Sequence, residues 1–380
     1  MKPAQRWPKP KSFRAALMRV SRTWRELVDL LFDKKLSRTY WPAEPRKSKP
    51  RIGGELLWWL LRNGEANRFY YVYGLDRRSA RRTDVMPFNH FQQLRSRANL
   101  RTGRAPNNYN YVCMLRDKFL FAQLASSLGI PAPRTAALMD RGSVTWFDRN
   151  ETVPLEQLAD SAGSTFDGFC KTFSGMQGSG AFPLRIDGGE LFIAGTAASV
   201  DQLRSRLTGR FLLQQRIEQH PAMHRLNATS VNTLRLVSFC DRQKAEVAFG
   251  ALRVGTGQNS VDNWAAGGLI VRIDLGSGEL RGEGFFKPGY GGRTSVHPDS
   301  GVVFDGWRIP FFREAMAMVV RMHEYLPGIH SVGWDVAITS DGPVIVEGND
   351  DWDGVIQMVV DRGFRQRFMA EYGSVMAQAR

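Results

Sequence analysis

Near its C-terminus the chain carries a stretch that reads as a β-hairpin, Gly333-Trp-Asp-Val-Ala-Ile-Thr-Ser-Asp-Gly-Pro-Val-Ile-Val-Glu-Gly-Asn349. Two β-branched runs, Val336 to Thr339 and Val344 to Val346, flank the triplet Ser340-Asp341-Gly342. A three-residue loop with glycine in the left-handed position is a common closure for such a hairpin. With the loop centred on Asp341, Asp335 and Glu347 oppose each other across the ladder. Opposed Cβ atoms lie about 4.5–5.5 Å apart, and like charges there are destabilising. Asn349 lies two residues beyond Glu347 and points to the same face. Two carboxylates and an amide oxygen on one face form a hard-cation donor set that suits Mg²⁺. The alternative is an exposed hairpin with its acidic residues in water. Trp334, Val336, Ile338, Val344 and Val346 are apolar, which favours strands packed inside a domain. Asp350, Asp351 and Asp353 add negative charge just beyond.

A chain of 380 residues has room for two or three domains and a sizeable core. Its net charge of +15 is unevenly placed. Residues 1–105 hold 25 Lys and Arg against 8 Asp and Glu, whereas the remainder holds 27 against 29. The basic excess therefore belongs to the N-terminal part. It suits an anionic partner such as a lipid surface or an acidic substrate, or a solvated basic face. No nucleic-acid-binding motif accompanies it, so no specific nucleic acid is expected. Cys113, Cys170 and Cys240 are odd in number and form no C-x-x-C pair, which fits a reducing compartment. The six histidines show no zinc-binding spacing. The longest apolar run, Leu56 to Leu61, falls far short of the ~20 residues of a membrane-spanning helix. No secretory signal pattern opens the chain. The expectation is a cytoplasmic protein, with peripheral attachment to the inner membrane face left open.

Residues 12–32 place Phe13, Leu17, Val20, Trp24, Val28 and Leu31 at three- and four-residue steps, with Arg14, Arg22 and Arg25 off that stripe. This pattern predicts a basic amphipathic helix, packed on its own domain or lying on a membrane. Pro42, Pro45 and Pro50 read as a linker, and residues 53–105 read as helical. Arg77, Arg78, Arg81 and Arg82 suggest a basic turn.

Further on, Asp117 to Gly129 reads as a helix that stops at its glycine. Lys118 occupies its first turn, where the helix dipole disfavours a cation unless an anion is near. Phe166 to Phe173 reads as a strand ending in Lys171. The loop Ser174-Gly-Met-Gln-Gly-Ser-Gly180 and a second strand follow. A strand lysine beside a Gly/Ser loop can cradle phosphate, and a plain flexible turn is the alternative. The loop matches neither a Walker A motif nor a dinucleotide fingerprint. Phe211 to Ile217 and Ser230 to Phe239 read as strands. The second carries Arg235 between Leu234 and Leu236, a placement that usually signals a buried carboxylate or a ligand. Lys287 to Gly301 is a long polar loop with Arg293 and His297, and such loops are often functional. There Arg293 is expected to bind a substrate carboxylate or phosphate, and His297 to orient the acceptor or take its proton. A helix from about Pro310 to Tyr325 leads back to the hairpin.

In order the chain offers Asp-Lys at a helix start, a strand lysine with a Gly/Ser loop, a strand arginine, and Asp-x11-Glu-x-Asn on a hairpin. This series resembles the ATP-grasp superfamily. It is most similar to the sugar-transfer-associated branch related to α-L-glutamate ligases, through Val231-Asn-Thr-Leu-Arg235, Asn263-Trp-Ala-Ala-Gly-Gly268, His297-Pro-Asp-Ser-Gly301, Gly333-Trp-Asp-Val-Ala-Ile338 and Val346-Glu-Gly-Asn349. The resemblance covers roughly residues 108–360.

The resemblance implies an α+β fold in which two subdomains grip ATP, here residues 108–216 and 217–380, preceded by a basic, mainly helical region at 1–107. Lys118 and Lys171 would contact the phosphates, and the loop with Gly175, Gly178, Ser179 and Gly180 would close over them. The segment Gln214, Gln215, Arg216 and Ile217 would bond adenine through its backbone, with Glu218 toward the ribose. Asp335, Glu347 and Asn349 would hold two Mg²⁺. Arg235 would stabilise the transferring phosphoryl group. The implied activity is ligation of a small-molecule carboxylate to an amine or sugar-derived acceptor through an acyl phosphate, with a link to polysaccharide or cell-envelope modification. Two other readings stay open: a kinase-like phosphotransferase on the same fold, and a non-catalytic partner of polysaccharide machinery.

Overall fold

The computed structural model describes residues 13–102, 110–174, 180–241, 244–257, 262, 264, 267–326, 328–360 and 364–378. Two antiparallel sheets dominate it. The first contains β1 (Thr135–Met139), β2 (Ser143–Trp146), β3 (Glu151–Pro154), β4 (Thr165–Thr172), β5 (Phe182–Asp187), β6 (Glu190–Ile193), β7 (Thr196–Ala198) and β8 (Phe211–Gln215). Its order is β3-β2-β1-β8-β4-β5-β6-β7. The second contains β9 (Thr233–Asp241), β10 (Lys244–Val254), β11 (Leu269–Ile273), β12 (Leu280–Phe286), β13 (Arg293–Thr294), β14 (Ser331–Thr339) and β15 (Gly342–Asn349). Its order is β13-β12-β11-β10-β9-β14-β15.

The helices are α1 (Phe13–Phe32), α2 (Lys49–Asn63), α3 (Phe88–Thr102), α4 (Cys113–Arg116), α5 (Lys118–Ser127), α6 (Leu158–Ser161), α7 (Val200–Arg206), α8 (Pro221–Leu226), α9 (Phe312–Glu324) and α10 (Phe364–Gln378). The first sheet alternates buried and exposed side chains, as on β5, and buries one face with Leu158 of α6 and Leu203 of α7. The second sheet is covered on both faces. One face, with Leu234, Leu236, Trp334 and Val336, packs on α9 through Ala315, Val319 and Met322. The other packs Val237, Phe239 and Phe249 against the N-terminal region and α10. That double burial explains why β14 is buried at every residue but its last.

The N-terminal region differs from its sequence reading in two ways. Residues 64–81 form tight turns that bury Phe69 to Tyr73, so the aromatic run is a plug against the sheet and not a helix. The proline-marked stretch is no linker either. Tyr40 is buried and donates to Phe286 O at 2.8 Å, and Lys47 is buried in a 2.8 Å pair with Glu55. Pro50 sits in the first turn of α2, where its missing N–H costs nothing.

Candidate active site

The hairpin register puts Asp335 directly opposite Glu347, and on its other side opposite Arg235. The closure differs from the expected one. Thr339 pairs with Gly342, leaving a two-residue loop of Ser340 and Asp341, neither of them at positive φ. A register shift beyond Val336 then inserts one extra residue, Val346, and restores the opposition of the two carboxylates.

Asp335 is almost wholly buried, at 4% exposure. Its Oδ1 accepts from Arg235 Nε at 2.7 Å and its Oδ2 from Arg235 Nη2 at 3.1 Å. Arg253 of β10 donates from Nη1 to both oxygens at 3.0 Å. The other arm of Arg253, Nη2, reaches Asp262 Oδ1 at 3.1 Å. Asp262 Oδ2 accepts from the backbone N–H of Thr233 at 3.0 Å and from its hydroxyl. Burial works to raise the Asp335 carboxyl, but the two guanidiniums outweigh it and its pKa falls below the ordinary carboxylate range. Glu347 shifts the other way: burial, then the charge of Asp335, pushes its carboxyl up, with Lys118 opposing. Asn349 donates to Glu347 Oε1 at 3.2 Å.

Lys118 comes toward this face from the start of α5 and Lys171 from β4 of the first sheet. Asp117 caps α5 by accepting from the N–H groups of Phe119 and Leu120 at 2.9 and 3.0 Å. The Lys118 N–H donates to Phe173 O at 2.8 Å, which ties the helix start to the end of β4. Both lysines, with Phe121, Ala122, Gln214 and Val346, line a small cavity between the first sheet and β15. Burial pulls the Lys171 pKa down, and the charge of Glu347 works against that shift. Neither carboxylate lines that cavity, but the charges of Glu347 and Asp335 act on Lys171 and that of Lys118 acts on Glu347, so the acidic pair lies near both lysines.

The segment after β8 narrows the ligand-facing backbone. Gln214 lies in the ladder, and its side chain donates to Thr135 Oγ1 at 3.3 Å. The Gln215 N–H donates to Arg134 O at 2.9 Å and the Arg216 N–H to Asp167 O at 3.1 Å. Among the described residues the Ile217 N–H has no such partner. The Gln215 and Glu218 side chains are exposed. Gly180 is described, at φ 74°, whereas Gly175, Gly178 and Ser179 lie outside the described residues.

The expectations for His297 and Asp350 are corrected, and that for Arg293 is corrected in its place alone. His297 is fully buried, its Nε2 2.8 Å from Gly255 O and its Nδ1 accepting from Asp299 N and Ser300 N at 3.3 Å. It anchors its own loop and has no nitrogen left to handle an acceptor. Arg293 lies over Trp41 and Phe285 and pairs with Glu283, away from the acidic pair. Asp350 adds no charge to the hairpin face, because Arg116 binds both its oxygens at 2.9 and 2.8 Å. Conversely, Arg253 and Asp262 were not singled out in the sequence. Arg253 stands between Leu252 and Val254, the same strand-arginine signal that marked Arg235.

Among the described residues, no three His, Cys, Asp or Glu side chains group closely enough to hold a metal. The possible donors are Asp335, Glu347 and the amide of Asn349. They fit a divalent cation in one respect: Glu347 is held up by burial and by Asp335, and a cation between the carboxylates would let both ionise.

A family model described as sugar-transfer associated ATP-grasp matches residues 97–371. No curated protein matches. Among solved structures, N5-carboxyaminoimidazole ribonucleotide synthetase in its ADP complex is similar at 11% identity and a TM-score of 0.35, over 63% of this chain and 46% of that one. D-alanyl-alanine synthetase A from Vibrio cholerae O1 biovar eltor is similar at 9% identity and a TM-score of 0.39, over 70% and 66%. A RimK domain ATP-grasp protein from Sphaerobacter thermophilus gives 14% identity and a TM-score of 0.33, over 65% and 67%. The chain thus spans less than half the length of the first of these.

Proposed function

The chain belongs to the sugar-transfer associated ATP-grasp family, and from that premise we propose that it is an ATP-dependent ligase joining a carboxylate to an amine or a related nucleophile. The observation that supports this most is the approach of Lys118 and Lys171, which line one small cavity, to Asp335 and Glu347, whose charges act on them. Nucleotide phosphates would enter there against the lysines, with the Ile217 N–H toward the adenine.

The chemistry follows from charge. A carboxylate is a poor electrophile. Its oxygen attacks the γ-phosphorus, the bond from that phosphorus to the ADP oxygen breaks, and an acyl phosphate forms. The nucleophile then attacks the acyl carbon, inorganic phosphate leaves, and the amine loses a proton. Protein cations contribute by neutralising charge on the transferring phosphoryl oxygens. Lys118 and Lys171 do this directly. Arg235 and Arg253 hold Asp335 ionised and fixed in orientation. Bound at Asp335, Glu347 and Asn349, Mg²⁺ would supply further charge neutralisation at the phosphates. The family description favours a sugar-derived acceptor. ADP and phosphate appearing together across a panel of carboxylates and amino sugars would support the ligase. Phosphate retained on the product would replace it with a phosphotransferase.

The N-terminal helices support a peripheral site of action. No helix of the described residues is long and apolar enough to cross a membrane. Yet α1 exposes Trp24, Val28 and Phe32 at four-residue steps, and α2 exposes Leu57, Trp58 and Leu61. Arg25, Lys34, Lys35, Arg51 and Arg62 lie on or beside the same two helices. Large apolar side chains interspersed with cations suit an anionic lipid surface.

A further inference from the structure

Direct cross-strand pairs put Glu347, Asp335, Arg235, Ala251, Arg272 and Arg281 in one row on a single face of the second sheet. The acidic pair sits at one end of this row. At the other end a cavity of about 1210 Å³ opens between the sheet, the N-terminal turns and α10. It exceeds the ~300–1,000 Å³ of ordinary small-molecule sites. Four strand steps separate β14 from β12, so its floor lies roughly 19 Å from Asp335. Buried Ala251, Ile270 and Trp264 fill the face between the two. The cavity is therefore distinct from the nucleotide cleft.

Its walls are cationic. Among the described residues, Arg77, Arg81, Arg272, Arg281, Arg293 and Arg365 line it, against Asp84 and Glu283. Trp41 holds two of the guanidiniums, that of Arg77 at 4.3 Å from its ring centroid and that of Arg293 at 4.9 Å. Stacking keeps such forks planar and oriented, which suits bidentate binding of phosphate or carboxylate. Glu44 pairs with Arg77 at 3.0 Å, Glu279 with Arg281 at 3.0 Å, and Glu283 with Arg293. Among the described residues no carboxylate pairs with Arg81 or Arg365. The Nε of Arg293 is buried without a hydrogen-bond partner. Burial, then the nearby Arg77, lowers the pKa of Arg293, so charge is crowded there. Guanidinium groups only donate and cannot satisfy one another. An anion is the ligand that relieves both the crowding and the orphaned donor.

We propose that this cavity is a second ligand site, for an extended molecule carrying two or more phosphate or carboxylate groups. The assignment requires binding alone and stands apart from the ligase reading.

The test is calorimetric titration of the full chain with two probes, sodium tripolyphosphate and tetragalacturonate, which separate a phosphorylated ligand from a carboxylated one. Each is run on the wild type, on Arg81→Gln/Arg365→Gln and on Lys171→Ala. Arg81 and Arg365 are exposed, so their replacement spares the core. At least one probe should bind the wild type, weaken roughly tenfold or more in the double arginine variant, and bind Lys171→Ala as it binds the wild type. Added salt should weaken it as well. Binding by neither probe would overturn the proposal. So would binding that Lys171→Ala abolishes and the arginine variant leaves intact, since the probe would then sit in the nucleotide cleft.

Discussion

Arg253 sets one guanidinium nitrogen 3.0 Å from both carboxylate oxygens of Asp335 and reaches Asp262 with the other arm at 3.1 Å. With Arg235 on the opposite flank, Asp335 is shared by two cations in a site that water scarcely enters. Two arginines and two carboxylates balance in charge, and each fork is spent on an acceptor. That balance explains how the sheet tolerates four ionised side chains so close to its core.

Removing one member should therefore be costly. Arg253→Met leaves Asp262 and half of the Asp335 shell uncompensated, and breaking a buried pair in this way costs about 3–5 kcal/mol. Urea unfolding should show that loss, and Arg253→Lys should recover only part of it, because an ammonium cannot span both carboxylates as a planar fork does. Wild-type stability in Arg253→Met would remove the network from the account of the fold.

Glu347→Gln should act oppositely on stability and on turnover. The neutral amide no longer faces Asp335 as a like charge, so thermal stability should rise, by up to about 1 kcal/mol. ADP formation with Mg²⁺ should disappear, because a neutral amide cannot supply the anionic oxygen that Mg²⁺ would take from Glu347. A variant that turns over near the wild-type rate would end the metal assignment, whatever its melting temperature.

The hairpin was the most legible part of the chain. The alternation around Asp335 and Glu347 gave their opposition, although two unforeseen features, a two-residue loop and a bulge at Val346, cancel to produce it. Helix α5 was equally plain, since Asp117 and Gly129 mark its two ends. The N-terminal region was not. Its aromatics at 69–73 are spaced for neither a helix nor a strand, because turns present them to a sheet nearly two hundred residues away. His297 misled for a related reason. A histidine in a polar loop looks available until the chain folds its ring beneath Gly255. Tertiary contacts of this kind leave no periodic trace.

Lys171 should matter for nucleotide far more than for folding. Burial lowers its pKa, with the charges of Glu347 and Asp335 working against that shift, so its charge is costly to hold without an anion. Lys171→Met keeps the side-chain volume and removes that charge, and the unfolding midpoint should hold or rise. ATP affinity measured by calorimetry should fall by roughly tenfold or more. Unchanged affinity would mean that the lysine does not face the phosphates.

Two buried histidines should give the fold an acid limit. Trp334 Nε1 donates to Ser238 Oγ at 2.7 Å, that hydroxyl lies 2.7 Å from His323 Nδ1, and His323 Nε2 lies 2.8 Å from Ile329 O. The ring is needed in its neutral form. Burial lowers the pKa of His323, and that of His330, to about 4. Both depressions stabilise the fold fully above the unfolded value of about 6.5, and the contribution shrinks as pH falls toward 4. The melting temperature should drop across that window. His323→Gln, which can keep one hydrogen bond without titrating, should flatten the drop. An unchanged slope in the variant would show that other groups control acid unfolding.

The exposed stripe on α1 and α2 makes the last prediction. Phe32 and Leu61 are 77% and 75% exposed, a poor outcome for side chains that gain about 25 cal/mol for each Å² taken out of water. The Trp58 ring lies under Arg62 at 5.5 Å and Arg82 at 4.6 Å, so cations stand beside the apolar surface. Lipid headgroups of negative charge would meet both features at once. The full chain should co-sediment with vesicles containing phosphatidylglycerol, and much less with phosphatidylcholine alone. High salt should weaken the binding without abolishing it, since the apolar contact is not screened. Phe32→Glu/Leu61→Glu places two charges on the stripe, touches no buried residue, and should release the protein from vesicles with its melting temperature unchanged. Equal sedimentation of the variant and the wild type would show that the stripe is not the docking surface.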